Sequence, residues 1–226
     1  MENQMNRKRK NLLFTALGVT GFLLMILGLV DLWTGPRRFD FLWIPHPNNP
    51  INWMTALNLV FAGAAAGWTA SLYGSSEERH DWVMRLLWSG LAVVFALGAT
   101  DEIFEIHEWA GGVFKSFRAQ RGIESLPAHL FEGNIVLALY AVGACGVFSL
   151  LLPLLKKDPF SYKAFCAGIV FQVTALACER FFGWAEDVPK PWVLIAYLEE
   201  TCELFATLFY ALAMAFIAIK LEAERR

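Results

Sequence analysis

The stretch WVLIAYLEETCELFATLFYALAMAFIAI, Trp192–Ile219, decides the fold. Its only charges are Glu199, Glu200 and Glu203, and from Leu204 to Ile219 it carries none. About 20 mainly apolar residues in helical conformation cross the hydrocarbon core of a bilayer. The stretch therefore reads as a membrane span with three carboxylates in its first turns. Five further runs have the same character, so the expected spans are 12–33, 53–73, 82–105, 132–155, 164–183 and 192–219. Trp and Tyr mark several of their ends, where amphipathic rings favour the membrane interface.

Composition agrees. The chain has 226 residues, 57% of them hydrophobic and 18% charged, with a mean hydropathy of +0.45. A soluble domain sits near 45–50% apolar and about 25% charged, so the surplus belongs in lipid. A net charge of −2 gives no basis for nucleic-acid binding, which needs clustered excess Lys and Arg. Disorder is excluded by the hydrophobicity. Cys145, Cys166, Cys178 and Cys202 fall inside apolar runs without the paired spacing of a zinc site or a disulfide framework, and are expected as small buried hydrophobes. The first run follows Arg7-Lys8-Arg9-Lys10, is too long for a signal-peptide core and lacks a small-residue cleavage site, so it is expected as a retained anchor.

The fold class expected is thus all-α: a polytopic bundle of six transmembrane helices forming one integral membrane domain over residues 1–226. Twelve of the 19 Lys and Arg fall in or beside the termini and the loops after spans two and four. By the positive-inside rule both termini are expected in the cytoplasm. Two long loops then face outward, Thr34–Asn52 and Ile106–Phe131. The first holds Ile44-Pro45-His46-Pro47-Asn48-Asn49-Pro50, too proline-rich for a helix but suited to a stiff lid, with His46 as its polar group.

The charges that lie where hydropathy should not tolerate them are the informative ones. They are Asp101-Glu102-Ile103-Phe104-Glu105-Ile106-His107-Glu108 at the outer end of span three, His129-Leu130-Phe131-Glu132 at the start of span four, Glu179-Arg180 ending span five, and Glu199-Glu200-Thr201-Cys202-Glu203 opening span six. With antiparallel successive spans, all four groups come to similar depth near one face. At about 100° per residue, Asp101, Glu105 and Glu108 share a face, as do Glu199, Glu200 and Glu203. His129 and Glu132, three apart, also share one, in the reverse order of the Glu-x-x-His pair of di-iron bundles. Spans three and six repeat the pattern [DE]-E-x-x-E, an inverted repeat in miniature.

A carboxylate at mid-membrane costs about 2.5–3.5 kcal/mol, and less near the interface. Nine acids share Arg180 as their one intramembrane cation. Protonation or bound cations are the remaining ways to offset the charge. Hard oxygen donors with one or two imidazoles suit Fe, Mn, Mg or Ca better than Zn or Cu. One or two divalent metal ions are expected, Fe or Mn before Zn, Ca or Mg. Their expected ligands are Asp101, Glu105, Glu108, His129, Glu132, Glu179, Glu199 and Glu203, backed by Glu102, His107, Glu200 and Arg180. Asp31 and Asn58 are expected as interfacial or helix-packing groups, and the Phe and Trp stripes as lipid-facing or core residues.

The strings Asp101-Glu102…His107-Glu108 and Glu199-Glu200-x-x-Glu203 resemble a pattern in uncharacterised bacterial multi-span membrane proteins. That resemblance covers spans three to six and implies a bacterial inner-membrane setting without supplying a reaction. Membrane hydrolases of the alkaline ceramidase type also carry acids and histidines in their helices, but this chain lacks their late His-x-x-x-His pair. Histidine-rich membrane desaturases are excluded by a total of four His.

Three functions follow as expectations. The first is a metalloenzyme whose carboxylate-bridged, di-iron-like centre acts on a lipid or other hydrophobic substrate at the periplasmic face, as an oxidoreductase or, with a redox-inert metal, a hydrolase. The second is a divalent-cation or proton transporter using the same acids. The third is an accessory subunit of a membrane complex or a homo-oligomer.

Overall fold

The computed structural model describes residues 7, 9–21, 23, 50–73, 79–104, 106–120, 134–182 and 192–225. Among the described residues there are helices and turns and no strand. A helical N-terminal stretch covers residues 9–21. Six longer helices follow: α1 (Pro50–Leu72), α2 (Arg79–Phe104), α3 (Ile106–Gln120), α4 (Asn134–Leu155), α5 (Pro159–Phe182) and α6 (Trp192–Arg225). Four of them, α1, α2, α5 and α6, are long and apolar enough to cross a membrane. The fourth expected span coincides with α4, 22 residues without a charged side chain. Of the first expected span, residues 22 and 24–33 lie outside the described residues.

Helix ends extend past the expected runs because hydropathy stops at the first polar residue, whereas backbone hydrogen bonding continues to a cap. α1 starts at Pro50, a residue suited to the first helical position, where no N–H is needed. α5 starts five residues ahead of the expected Ala164. There Asp158 is the N-cap, with its Oδ2 accepting from the Ser161 N–H at 2.9 Å and from the Ser161 hydroxyl at 2.6 Å. α6 runs on to Arg225 with Lys220 and Glu224 paired at 3.6 Å one turn apart. Residues 106–120, expected as part of a loop, are helical instead. Ile106, Trp109, Val113 and Phe117 recur at helical spacing there.

The packing forms a row, α2 against α1, α1 against α6, and α6 against α5. α6 is central: 61% of its apolar window is buried, against 22% in α2. Small residues set the spacing of α1. Its Gly63 comes so close to α2 that an added methyl would stand 3.2 Å from the Ala92 carbonyl oxygen. This is the close backbone approach by which membrane helices associate where hydrophobic segregation gives no drive. On its α6 side, the Asn58 amide donates to the Leu204 carbonyl at 3.3 Å and lies 3.4 Å from the Thr207 hydroxyl. Asn58 is thus a packing group, as expected. Between α5 and α6, a methyl on Gly168 would meet Tyr210 Cε1 at 2.6 Å and the Ala206 oxygen at 3.1 Å. Phe171 stacks between Phe205 and Phe209, at 5.5 and 5.7 Å.

The N-terminal stretch joins this row at one end through Arg9, 2% exposed. Its Nη1 pairs with Asp158 Oδ1 at 2.7 Å, and its Nη2 donates to the Phe216 carbonyl at 3.0 Å. The guanidinium also lies over the Phe160 ring, 5.8 Å from its centre. At the same end Lys220 Nζ donates to the Lys157 carbonyl, and Arg225 lies over Tyr73 at 5.6 Å. The N-terminal stretch, the end of α1, the α4–α5 link and the end of α6 therefore meet at one end of the bundle. Most of the expected inward-facing cations belong to these segments.

Candidate functional site at the acidic end

The helix contacts fix a register, and the register sets the depth of each acid. α1 and α2 run antiparallel, with Leu59 beside Gly98 and Gly63 beside Ala92 and Phe95. Three residues further along α2, a rise of about 4.5 Å, Asp101 comes level with Thr55 of α1. α1 and α6 run parallel, with Asn58 beside Leu204, so Thr55 is level with Thr201. Asp101 and the Glu199–Glu203 turn thus share one depth, at the end of the bundle opposite Arg9. Thr55, 1% exposed, lies at that depth on the intervening helix, and Asp101 is 9% exposed.

α5 comes to the same level from the other side of α6. Phe160 meets Phe216, Phe165 meets Tyr210 and Phe171 meets Phe205. This antiparallel register carries Cys178 to the opening turns of α6, where it lies within electrostatic reach of Glu199 and Cys202. Cys178 and Cys202 are buried free thiols, as expected of small hydrophobes.

Depth agreement is not a ligand set. α1 stands between α2 and α6 in the row, separating Asp101 and Glu102 laterally from Glu199, Glu200 and Glu203. Among the described residues, no three His, Cys, Asp or Glu side chains are placed to hold one metal ion. Each of those five carboxylates has an interaction partner of its own. The remaining expected ligands do not enter this geometry. His107 and Glu108 fall in the first turn of α3 and Glu179 and Arg180 in the last turn of α5, but their side chains lie outside the described residues, as do Glu105, His129, Glu132 and His46 altogether.

Two polar features escaped the sequence reading. One is the Arg9–Asp158 pair, for which Asp158-Pro159-x-Ser161 carries a local sign: an acidic cap, a proline at the first helical position and a serine at the third. Its partner Arg9 has no such sign. The other is Thr201, whose hydroxyl oxygen is enclosed without a hydrogen-bond partner among the described residues, between two glutamates. No sequence signal distinguishes it from any threonine in an apolar run.

Among the described residues, fold and site together define a helical protein with four helices long and apolar enough to cross a membrane, acidic at one end and cationic at the other. A family model described as a domain of unknown function, DUF8692, matches residues 12–217, and the chain belongs to that family. No curated protein and no solved structure matches it.

Proposed function

We propose that the acidic end binds divalent cations and that the chain is an integral membrane metalloprotein acting on a hydrophobic substrate, such as a lipid, at that end. The observation supporting this is the common depth of Asp101 on α2 and Glu199, Glu200 and Glu203 on α6. α2, carrying Asp101-Glu102, and α6, carrying Glu199-Glu200-x-x-Glu203, come to one level by the register of their contacts with α1. Carboxylates collected at membrane depth need compensating charge, and a divalent ion supplies it most compactly. Side chains from α3, α5 and the start of the fourth span, Glu108, Glu179, His129 and Glu132, would complete the ligand set, with Glu105 at the end of the third. A redox-active pair of Fe or Mn would support oxidation, and a redox-inert ion hydrolysis. In this reading both termini are cytoplasmic, the setting is a bacterial inner membrane and the acidic end faces the periplasm.

A transporter reading would need carboxylates to continue towards the other end. Between Trp82 and Thr100 in α2, throughout α1, from Pro159 to Ala177 in α5 and from Leu204 to Leu221 in α6 there is no Asp or Glu. That asymmetry favours a one-sided site over a relay. Metal analysis of the purified full chain decides the matter. The expected result is at least one Fe or Mn per chain, lost in the Asp101→Asn/Glu203→Gln variant. Metal-free protein after growth in supplemented medium, or equal metal in both proteins, would overturn the proposal.

A further inference from the structure

The opposite end of the bundle has a charge pattern of its own. Arg9 is neutralised by Asp158 at 2.7 Å, and Lys220 is held by the Lys157 carbonyl and by Glu224. Around these spent charges Arg7, Lys10, Lys156, Lys157 and Lys163 are all exposed. Within the described residues of the N-terminal stretch and of 151–165, Asp158 is the sole acid, and it is already committed to Arg9 and to capping α5. Asp81 in the first turn of α2 and Glu222 and Glu224 on the last turns of α6 are further acids at this end among the described residues, and Glu224 faces Lys220.

The positions of these cations matter as much as their number. In the N-terminal stretch Arg7 and Lys10 stand three and four residues apart in line with Phe14, which is 70% exposed, so they prolong an apolar outward face. In α5, Lys163 lies two turns before Val170, 64% exposed, and on the same face. Lys156 and Lys157 occupy the link that immediately precedes Asp158. Each exposed apolar stripe thus ends in a cation at the same end of the bundle. The buried Arg9 contacts with Asp158, Phe216 and Phe160 hold the two stripes side by side.

We infer that this face is a binding site for anionic phospholipid headgroups of the adjoining leaflet, with the acyl chains lying along the exposed faces of the N-terminal stretch and α5. Clusters of Lys and Arg at the membrane edge of a helix recognise anionic lipid, each cation strengthening binding about fivefold. A free anion would match the charges and leave the apolar stripes above them unused. A lipid satisfies both. The site is separate from the acidic end and does not depend on what that end binds.

The experiment follows the thermal unfolding of the full chain in neutral detergent during titration with phosphatidylglycerol, phosphatidylcholine or inorganic phosphate. Phosphatidylglycerol is expected to raise the midpoint saturably, with the other two leaving it in place. Lys156→Gln/Lys157→Gln/Lys163→Gln, all at exposed positions, is expected to raise the half-saturating phosphatidylglycerol concentration about a hundredfold. Arg85→Gln, an exposed cation on α2, is expected to leave it unchanged. A midpoint shift with phosphatidylcholine or phosphate equal to that with phosphatidylglycerol, an unaltered titration in the triple variant, or an equal loss in Arg85→Gln would each overturn the inference.

Discussion

The two ends of this bundle hold charge in opposite ways. At the cationic end, Arg9 and Asp158 neutralise each other inside the protein, and the pair is finished by a carbonyl, a ring face and a helix cap. At the acidic end, Glu199, Glu200 and Glu203 share the opening turns of one helix, with Asp101 and Glu102 at the same depth across α1. The first arrangement balances internally and reads as architecture. The second concentrates one sign of charge, and like charges held close together cost stability. A region that carries such a cost is where function is to be sought.

The comparison breaks first at Arg9. Arg9→Ala leaves Asp158 buried with no cation, and losing one partner of a buried pair costs about 3–5 kcal/mol. Unfolding of the purified protein in detergent should show that loss. Arg9→Met with Asp158→Asn should restore most of it, because the amide oxygen still caps α5 and no lone charge remains. If Arg9→Ala is as stable as the native chain, the end is not held by this pair. The next largest effect is at Asn58, about one turn from the acidic level, which ties α1 to α6. Asn58→Leu removes its hydrogen bond to the Leu204 carbonyl, and interhelical bonds of this kind average about 0.6 kcal/mol, up to about 1.7. A gain in stability would show that the amide is retained for something other than packing.

The acidic end should respond in the reverse sense. Asp101→Asn with Glu203→Gln is expected to change the stability of metal-free protein by less than about 1 kcal/mol, because relief of like-charge repulsion offsets the interactions these two carboxylates make. Added divalent cation should stabilise the native chain and not this variant. A loss as large as that of Arg9→Ala would place the carboxylates in the architecture rather than the site.

Sequence alone disclosed the parts of this molecule that are local. α1, α2, α5 and α6 were visible because each is a long apolar run, and Asn58 because a lone amide within one needs a partner. The depth agreement between Asp101 and Glu203 was visible because antiparallel succession and span length together fix height. Lateral position was not. The α1–α2 approach rests on Gly63 and Gly67, both facing Ala92 of α2, and hydrogen bonds from α1 to α6 come from Asn58 on another side. Periodicity of hydropathy has no term for which small residue meets which neighbour. Arg9 was hidden for a related reason: in a run of four cations, the one taken into the protein differs from the others only by what it reaches, Asp158 some 149 residues away.

The smallest expected effect is pH-dependent and belongs to the cationic end. Tyr73, just past the end of α1, has its hydroxyl raised above its usual value of about 10, chiefly by burial. Asp81 and Glu224 reinforce the shift, and the guanidinium of Arg225 opposes it. The protonated form is thus favoured more in the folded protein than in the unfolded chain. That contribution is fully present below about pH 10 and is lost as pH rises through the higher folded value. In Tyr73→Phe it is missing at every pH. Between pH 8 and 11 the native protein should therefore lose slightly more of its unfolding midpoint than Tyr73→Phe, the difference reflecting a few tenths of a kcal/mol. All other ionisable groups are common to both proteins and cancel in the comparison. Parallel profiles would mean that the Tyr73 hydroxyl meets water at this end of the bundle, and that the Arg225 contact does not hold the end of α6 against α1.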